Sequence, residues 1–179
     1  MRTAYIGMGG NLASWAGSPE ATLAAAALRL ESLGRLVCRS SLYSTEPVGF
    51  AAQPRFVNAV VALETELEPK ELLRGLLAIE KEFSRDRATD LRNGPRTLDL
   101  DILLFGDLVI GEPGLEIPHP RLAERAFVLI PLNEIAPDAV VPRAGIVAQL
   151  LEDLLKGSQT SSDAVVRVQC DAWEVRIQL

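Results

Sequence analysis

The order of periodic segments predicts a single domain that mixes strands and helices. Stretches that alternate with period two, and stretches with apolar residues three and four apart, follow one another as β-α-β-β-α-β over residues 3–105. Cap and turn chemistry separates them, at Ser18-Pro19, Gly34 and Gly94-Pro95. The chain has 179 residues, 48% hydrophobic and 23% charged, which suits one ordinary core and excludes a disordered chain.

Residues 3–9 read as the first strand. Gly7-Met8-Gly9-Gly10-Asn11-Leu12 then reads as a tight strand-to-loop turn. Leu12 stands where a dinucleotide fingerprint needs its last glycine, and no Gly-Lys-Ser/Thr P-loop occurs. Ser18 and Pro19 open a helix whose apolar stripe is Leu23, Ala26, Leu30 and Leu33, closed by Gly34. Residues 35–45 predict a second strand. The loop Glu46–Pro54 is long for a hairpin, a mark of function. Residues 55–66 predict a third strand with Phe56, Asn58, Val60 and Ala62 on one face. A buried amide on such a face needs a partner. Either a neighbouring loop supplies it, or a flat heterocycle stacks on Phe56 and bonds Asn58. Pro69 opens a second helix with Leu72, Leu76, Ile79 and Phe83 facing the core; Glu80 borders that stripe, where a carboxylate is ordinarily solvated.

The stretch Gly94 to Phe105 holds the strongest chemistry. In a strand, Leu98, Leu100, Ile102 and Leu104 point one way, and Asp99 and Asp101 the other. Their α-carbons lie about 7 Å apart, so both carboxylates can converge on a small cation. Residues 84–96 carry four Arg (Arg85, Arg87, Arg92, Arg96) against Asp86 and Asp90, a local charge of +2 in a chain of net charge −6. A cationic loop beside an acidic pair suits a magnesium–polyphosphate ligand, with arginine forks on the remaining oxygens.

Gly106-Asp107 suits a hairpin turn into Leu108-Val109-Ile110. Pro118-His119-Pro120 cannot be helix interior and is expected at the surface, with Arg121 and Arg125 forming a second basic cluster. Phe127–Leu132 is apolar and belongs to the core, with Phe127 at a pocket edge. Residues 146–156 suit a closing amphipathic helix ended by Gly157. Residues 158–163 read as a linker. Val165–Cys170 and Trp173–Leu179 alternate, which predicts a C-terminal β-hairpin that extends a sheet edge or pairs with another subunit. The expected division is a domain over 1–157 and an extension over 158–179.

Composition narrows the function. An isoelectric point near 4.9 disfavours a general nucleic-acid binder. Cys38 and Cys170 match no metal or redox spacing and are expected as free thiols in a reducing, cytoplasmic compartment. No signal-peptide apolar region opens the chain, and no run is long enough to span a membrane. With one histidine, chemistry must rest on Asp, Glu, Arg and metal.

Arg92-Asn93-Gly94-Pro95-Arg96-Thr97-Leu98-Asp99-Leu100-Asp101-Ile102-Leu103 resembles the signature of the 6-hydroxymethyl-7,8-dihydropterin pyrophosphokinase family. Tyr43–Pro47 with Gly49, Gln53–Ala59, Ile79-Glu80, Arg85, Arg87, Pro118–Arg121 and Arg125–Leu129 match it in order and spacing, over roughly residues 3–156. The resemblance implies the α+β class, as a ferredoxin-like sandwich: a mainly antiparallel sheet with helices packed on it. It implies transfer of a diphosphoryl group from ATP to the pterin hydroxymethyl group, releasing AMP. By position, Asp99 and Asp101 would hold two Mg²⁺ ions, with Arg85 and Arg96 acting on the transferred group. Glu80, Arg87, Arg92, Ile102, His119 and Arg125 would contact the nucleotide. Phe56 and Phe127 would sandwich the pterin, with Asn58 at its edge and backbone groups near Thr45 and Val48 completing the pocket. Four features depart from the pattern: Leu77 in place of Gln, Asn93 in place of Trp, Gly10 in place of Ser, and an arginine loop one residue longer. Expected partners are small molecules only, in a monomer or a weak homodimer formed through the tail hairpin. The rival readings are another Mg²⁺-dependent Asp-x-Asp transferase, or a non-catalytic binding module. The first does not predict that Phe56, Asn58 and Phe127 converge, and the second leaves Asp99 and Asp101 without a metal.

Overall fold

A computed structural model describes residues 1–47, 52–84, 94–157 and 165–174. It is α+β, with a sheet whose strand pairs are all antiparallel. The central strand β1 (Arg2–Gly10) lies between β4 (Phe56–Thr65) and β5 (Asp99–Phe105). β2 (Arg35–Arg39) and β3 (Leu42–Thr45) both pair with β4, and β10 (Val165–Val168) pairs with β3. Helices α1 (Pro19–Leu30) and α2 (Pro69–Glu82) return the chain so that two split β-α-β units interleave. They cover one face, and α3 (Ala126–Ile135) and α4 (Val147–Gly157) cover the other. Two short hairpins, β6 (Ile110–Glu112) with β7 (Leu115–Ile117) and β8 (Val140–Val141) with β9 (Gly145–Ile146), complete the chain to α4.

Local chemistry accounts for the elements. Ser18 caps α1, its Oγ accepting from the Ala21 N–H at 3.4 Å. Pro69 starts α2, and Glu71 reaches back to accept from the Glu68 N–H at 3.1 Å. Leu23, Leu30, Leu72, Leu76, Phe83 and Leu100 fill the layer between these helices and the sheet. Val60, Leu103, Leu129 and Leu132 fill the opposite layer.

Several expectations are corrected. The strand expected over 35–45 is broken at Ser40-Ser41. There the Ser40 N–H donates to the Val60 carbonyl, the Val60 N–H donates to Ser40 Oγ, and Ser41 turns to α3. Its N–H and Oγ donate to the Glu134 carboxylate at 2.8 and 2.7 Å, and the Tyr43 hydroxyl donates to it at 2.9 Å. Leu104 does not share a face with Leu98, Leu100 and Ile102. Ile102 pairs with Ile6 and Leu104 with Tyr5, so Leu103 is an extra residue; this bulge turns Leu104 to the α3 side. Gly106-Asp107 does not join β5 to β6 in a hairpin, because β6 pairs with β7 instead. The predicted tail hairpin is half present. β10 does extend the sheet edge, but Asp171–Glu174 (α5) is one helical turn, and residues 175–179 lie outside the described ones. A core site for the indole explains the turn: Trp173 is 3% exposed and its Nε1–H donates to the Ser40 carbonyl at 2.8 Å.

Candidate active site

Register builds the site. Asp101 lies opposite Gly7 and Asp99 opposite Gly9 across the β1–β5 pair. On the other side of β1, Gly7 faces Val60 and Gly9 faces Asn58. Side chains paired across strands share a face. Two glycines on the middle strand therefore leave a trough between the acidic pair and Asn58. At Gly9 the space is needed, since a Cβ would stand 2.9 Å from Asn58 Oδ1. The cleft over this trough is lined by Asp99, Asp101, Asn58, His119, Arg125 and Phe127, among others.

Each of these side chains is held. Arg96 Nη1 donates to Asp99 Oδ2 at 2.9 Å. Asn58 is buried, and its Nδ2 donates to Thr45 Oγ1 at 2.8 Å, so its partner is the adjacent strand and not a loop. His119 is half-buried, not fully at the surface as expected. Its N–H donates to the Leu103 carbonyl at 2.9 Å, and its Nδ1 accepts from the Arg121 N–H at 3.1 Å. Burial, and next the Arg125 charge, push its pKa down, with Asp99 acting against them. The ring is therefore neutral at pH 7, with the proton on Nε2 as a donor. Burial also lowers the Arg125 pKa, and Arg121 adds to this, while Asp101 and Asp99 oppose it. A half-buried guanidinium near like charges is a site where an anion is welcome.

Not every predicted residue reaches the cleft. Phe56 does not line it; the Arg96 guanidinium lies over its ring, 5.3 Å from the centroid. Ile102 points into the α1/α2 layer and is 5% exposed. Glu80 is not solvated as expected. It is 1% exposed, and its Oε1 accepts from the Leu100 N–H at 2.8 Å, which anchors β5 from beneath. Val48, Arg85, Arg87 and Arg92 lie outside the described residues.

Sequence reasoning took Gly7–Leu12 for a plain turn and missed its principal residue, Asn11. This side chain is 3% exposed. Its Nδ2 donates to Gln53 Oε1 and to the Pro54 carbonyl, both at 3.0 Å, and its Oδ1 accepts from the Arg96 N–H at 2.8 Å. The N–H groups of Asn11 and Leu12 both donate to the Arg96 carbonyl. Asn11 thus joins the root of the 46–54 loop to the residue that holds Asp99. Gly10 makes this possible, because any Cβ there would collide with the Thr97 carbonyl oxygen. The available signal was glycine at alternate positions in an otherwise apolar strand, which marks close approach.

The family model for 7,8-dihydro-6-hydroxymethylpterin-pyrophosphokinase (HPPK) matches residues 5–137. The chain belongs to the HPPK family. A Pseudomonas aeruginosa protein named 2-amino-4-hydroxy-6-hydroxymethyldihydropteridine pyrophosphokinase is 49% identical over 149 residues, covering 82% of this chain and 88% of that protein. A Haemophilus influenzae protein of the same name is 45% identical over 154 residues, covering 85% and 92%. The crystal structure of a Plasmodium falciparum HPPK-DHPS triple mutant superimposes with a TM-score of 0.69 at 17% identity over 87% of this chain. This chain spans 44% of that protein, and the likeness is one of fold.

The donor set also fits the metal expected for the family. Among the described residues no group of three or more His, Cys, Asp and Glu side chains could enclose an ion. Two carboxylates on one strand face, open to a cleft, suit Mg²⁺ that takes its other ligands from phosphate and water.

Proposed function

We propose that the chain transfers the diphosphoryl group of ATP to the hydroxymethyl oxygen of 6-hydroxymethyl-7,8-dihydropterin, giving AMP and the pterin diphosphate for folate biosynthesis. One observation carries this reading: polyphosphate chemistry and heterocycle chemistry share a single cleft. Asp99, Asp101, His119 and Arg125 line it together with Asn58 and Phe127.

We assign the roles as follows. Asp99 and Asp101 would hold Mg²⁺, two ions in this proposal, and the metal would supply neutralisation of phosphate charge and stabilisation of the attacking and leaving oxygens. Arg96 fixes Asp99, and Arg125 offsets charge on the transferred group. Neutral His119 donates from Nε2 to the nucleotide. Thr45 orients the Asn58 amide toward the pterin edge, and Phe127 lies against the ring; Phe56, which does not line the cleft and lies under Arg96, is assigned to the ring's other face by family position only. We assign Arg85, Arg87 and Arg92 to the triphosphate and the Val48 backbone to the pterin by family position. Glu80 acts from beneath β5, and Ile102 packs from β5 into the same layer. Positioning of the two substrates supplies most of the rate, so no strong protein base is needed.

We infer action in the cytoplasm, on small molecules, without nucleic acid or membrane; among the described residues no helix is long and apolar enough to cross a bilayer. We infer a monomer or a weak homodimer, and residues 165–174 are already engaged with their own chain. The test is incubation with Mg-ATP and the pterin, followed by nucleotide separation. AMP formed in step with a pterin diphosphate is expected; ADP would overturn attack at the β-phosphorus.

A further inference from the structure

The C-terminal segment lies beyond the matched family model, which ends at residue 137. It nonetheless touches the proposed pterin pocket through one strand. β3 has four residues and pairs with β4 on one side only: Tyr43 with Asn58, Ser44 with Val57, Thr45 with Phe56. Its other edge is covered along its whole length by β10, with Val165 opposite Thr45, Arg167 opposite Tyr43 and Val168 opposite Leu42. Beyond β10 the chain is anchored by Trp173. The indole is buried in the core layer beside α1, donates to the Ser40 carbonyl, and carries the Arg39 guanidinium 5.0 Å from its ring centroid. Ser40 is the residue at which β3 begins to diverge from β2. The segment thus holds β3 at its root and along its edge.

We propose that residues 165–174 form a strap that positions Thr45, and through it Asn58, for the pterin. A four-residue edge strand with one neighbour is a fraying element. Fraying would remove Thr45 Oγ1 as the acceptor that fixes the Asn58 amide. Asp99, Asp101, His119 and Arg125 stand on β5 and on the chain between β7 and α3, away from β3. The strap therefore acts on one substrate and not the other. Trp173 is a positioning residue in this proposal, which rests on the pterin reading of the cleft.

The test compares wild type, Trp173→Ala, Trp173→Phe and a chain ending at Gly157. Two readouts are taken: amide hydrogen exchange along 42–45, and the separate KM values for the pterin and Mg-ATP. In Trp173→Ala and the shortened chain, exchange at 42–45 accelerates. The pterin KM rises about three- to thirtyfold, the range carried by remote contacts, while the Mg-ATP KM holds. Trp173→Phe keeps an aromatic ring in the core but loses the bond to the Ser40 carbonyl, so its pterin KM falls between those of wild type and Trp173→Ala. Unchanged exchange at 42–45, or equal rises in both KM values, would overturn the strap. A wild-type chain that turns over no pterin would refute the functional reading, and the exchange data would still decide whether the strap holds β3.

Discussion

Replacing Asn11 with alanine tests whether the two substrate loops are joined through one side chain. The substitution removes three hydrogen bonds from a site that is 3% exposed: two donated, to Gln53 and Pro54, and one accepted from the Arg96 N–H. Each is worth about 1 kcal/mol net, and the half-buried Arg96 N–H loses this acceptor, so the loss is about 3 kcal/mol. A domain with about 5–15 kcal/mol of stability remains folded after that loss. Urea unfolding with linear extrapolation measures it, since an unchanged slope with a lower midpoint reports stability alone. Activity should fall through both substrates, because the lost bonds hold the 46–54 root on one side and Arg96, hence Asp99, on the other. Gln53→Ala placed in the Asn11→Ala background should cost less than in wild type, since the two share a bond. A stability loss under about 1 kcal/mol with both KM values unchanged would refute the reasoning.

Three further outcomes are expected. Asp99→Ala and Asp101→Ala each lower turnover at least ~100-fold while the fold survives, and near-wild-type rates in either would remove the metal assignment. Gly9→Ala puts a Cβ 2.9 Å from Asn58 Oδ1, so the pterin KM rises about tenfold by displacement of the amide, at the low end of overpacking effects; an unchanged KM would show that Asn58 does not meet the pterin. Tyr43 is pushed up to about 12 by burial and then by its hydrogen bond to Glu134, and burial raises Tyr5 as well. These are the only two tyrosines in the chain, so ultraviolet titration of the native protein shows less phenolate at pH 10 than the unfolded chain, which is half ionised there. The neutral form is favoured by folding, so the stability from Tyr43 is present below pH about 10 and is lost as pH rises toward 12.

Period and cap chemistry made β1, α1, β4, α2 and β5 legible, because each buries one face and follows a cap, proline or loop. The failures came where tertiary contacts override local pattern. The break at Ser40-Ser41 depends on Glu134, over 90 residues away, and a Ser-Ser pair inside an alternating segment carries no trace of it. The bulge at Leu103 is invisible in a run of leucines, since either face accepts them. Trp173–Leu179 alternates as a strand should, yet a buried slot for the indole at Ser40 sets a helical turn at Asp171–Glu174. At the site, Asp99 and Asp101 were legible from spacing and charge. Asn11 was not, because its value lies in three partners from distant segments. Glu80 was misjudged as solvated, because its partner is a backbone amide of β5.

The strand order explains why one cleft can serve two substrates. β4 and β5 are not neighbours; β1 separates them, so groups on one cross-strand row of the two stand about 10 Å apart. Asn58 and Asp99 occupy such a row, with Gly9 between them. A flat ring held at β4 and a polyphosphate held at β5 then meet over backbone and not over side chains. Gly9 keeps that gap open, since a Cβ there would stand 2.9 Å from Asn58 Oδ1. Arg96 completes the arrangement from the β5 side, bonding Asp99 while its guanidinium covers Phe56 on β4. One residue thus touches both halves of the site, and Asn11 grips the peptide of that residue from its N–H and its carbonyl. The chain's net charge of −6 makes the local basic groups more telling, because Arg96, Arg121 and Arg125 gather around the acidic pair in an otherwise anionic protein. Such a field suits a polyphosphate with its cation, in keeping with a small-molecule transferase.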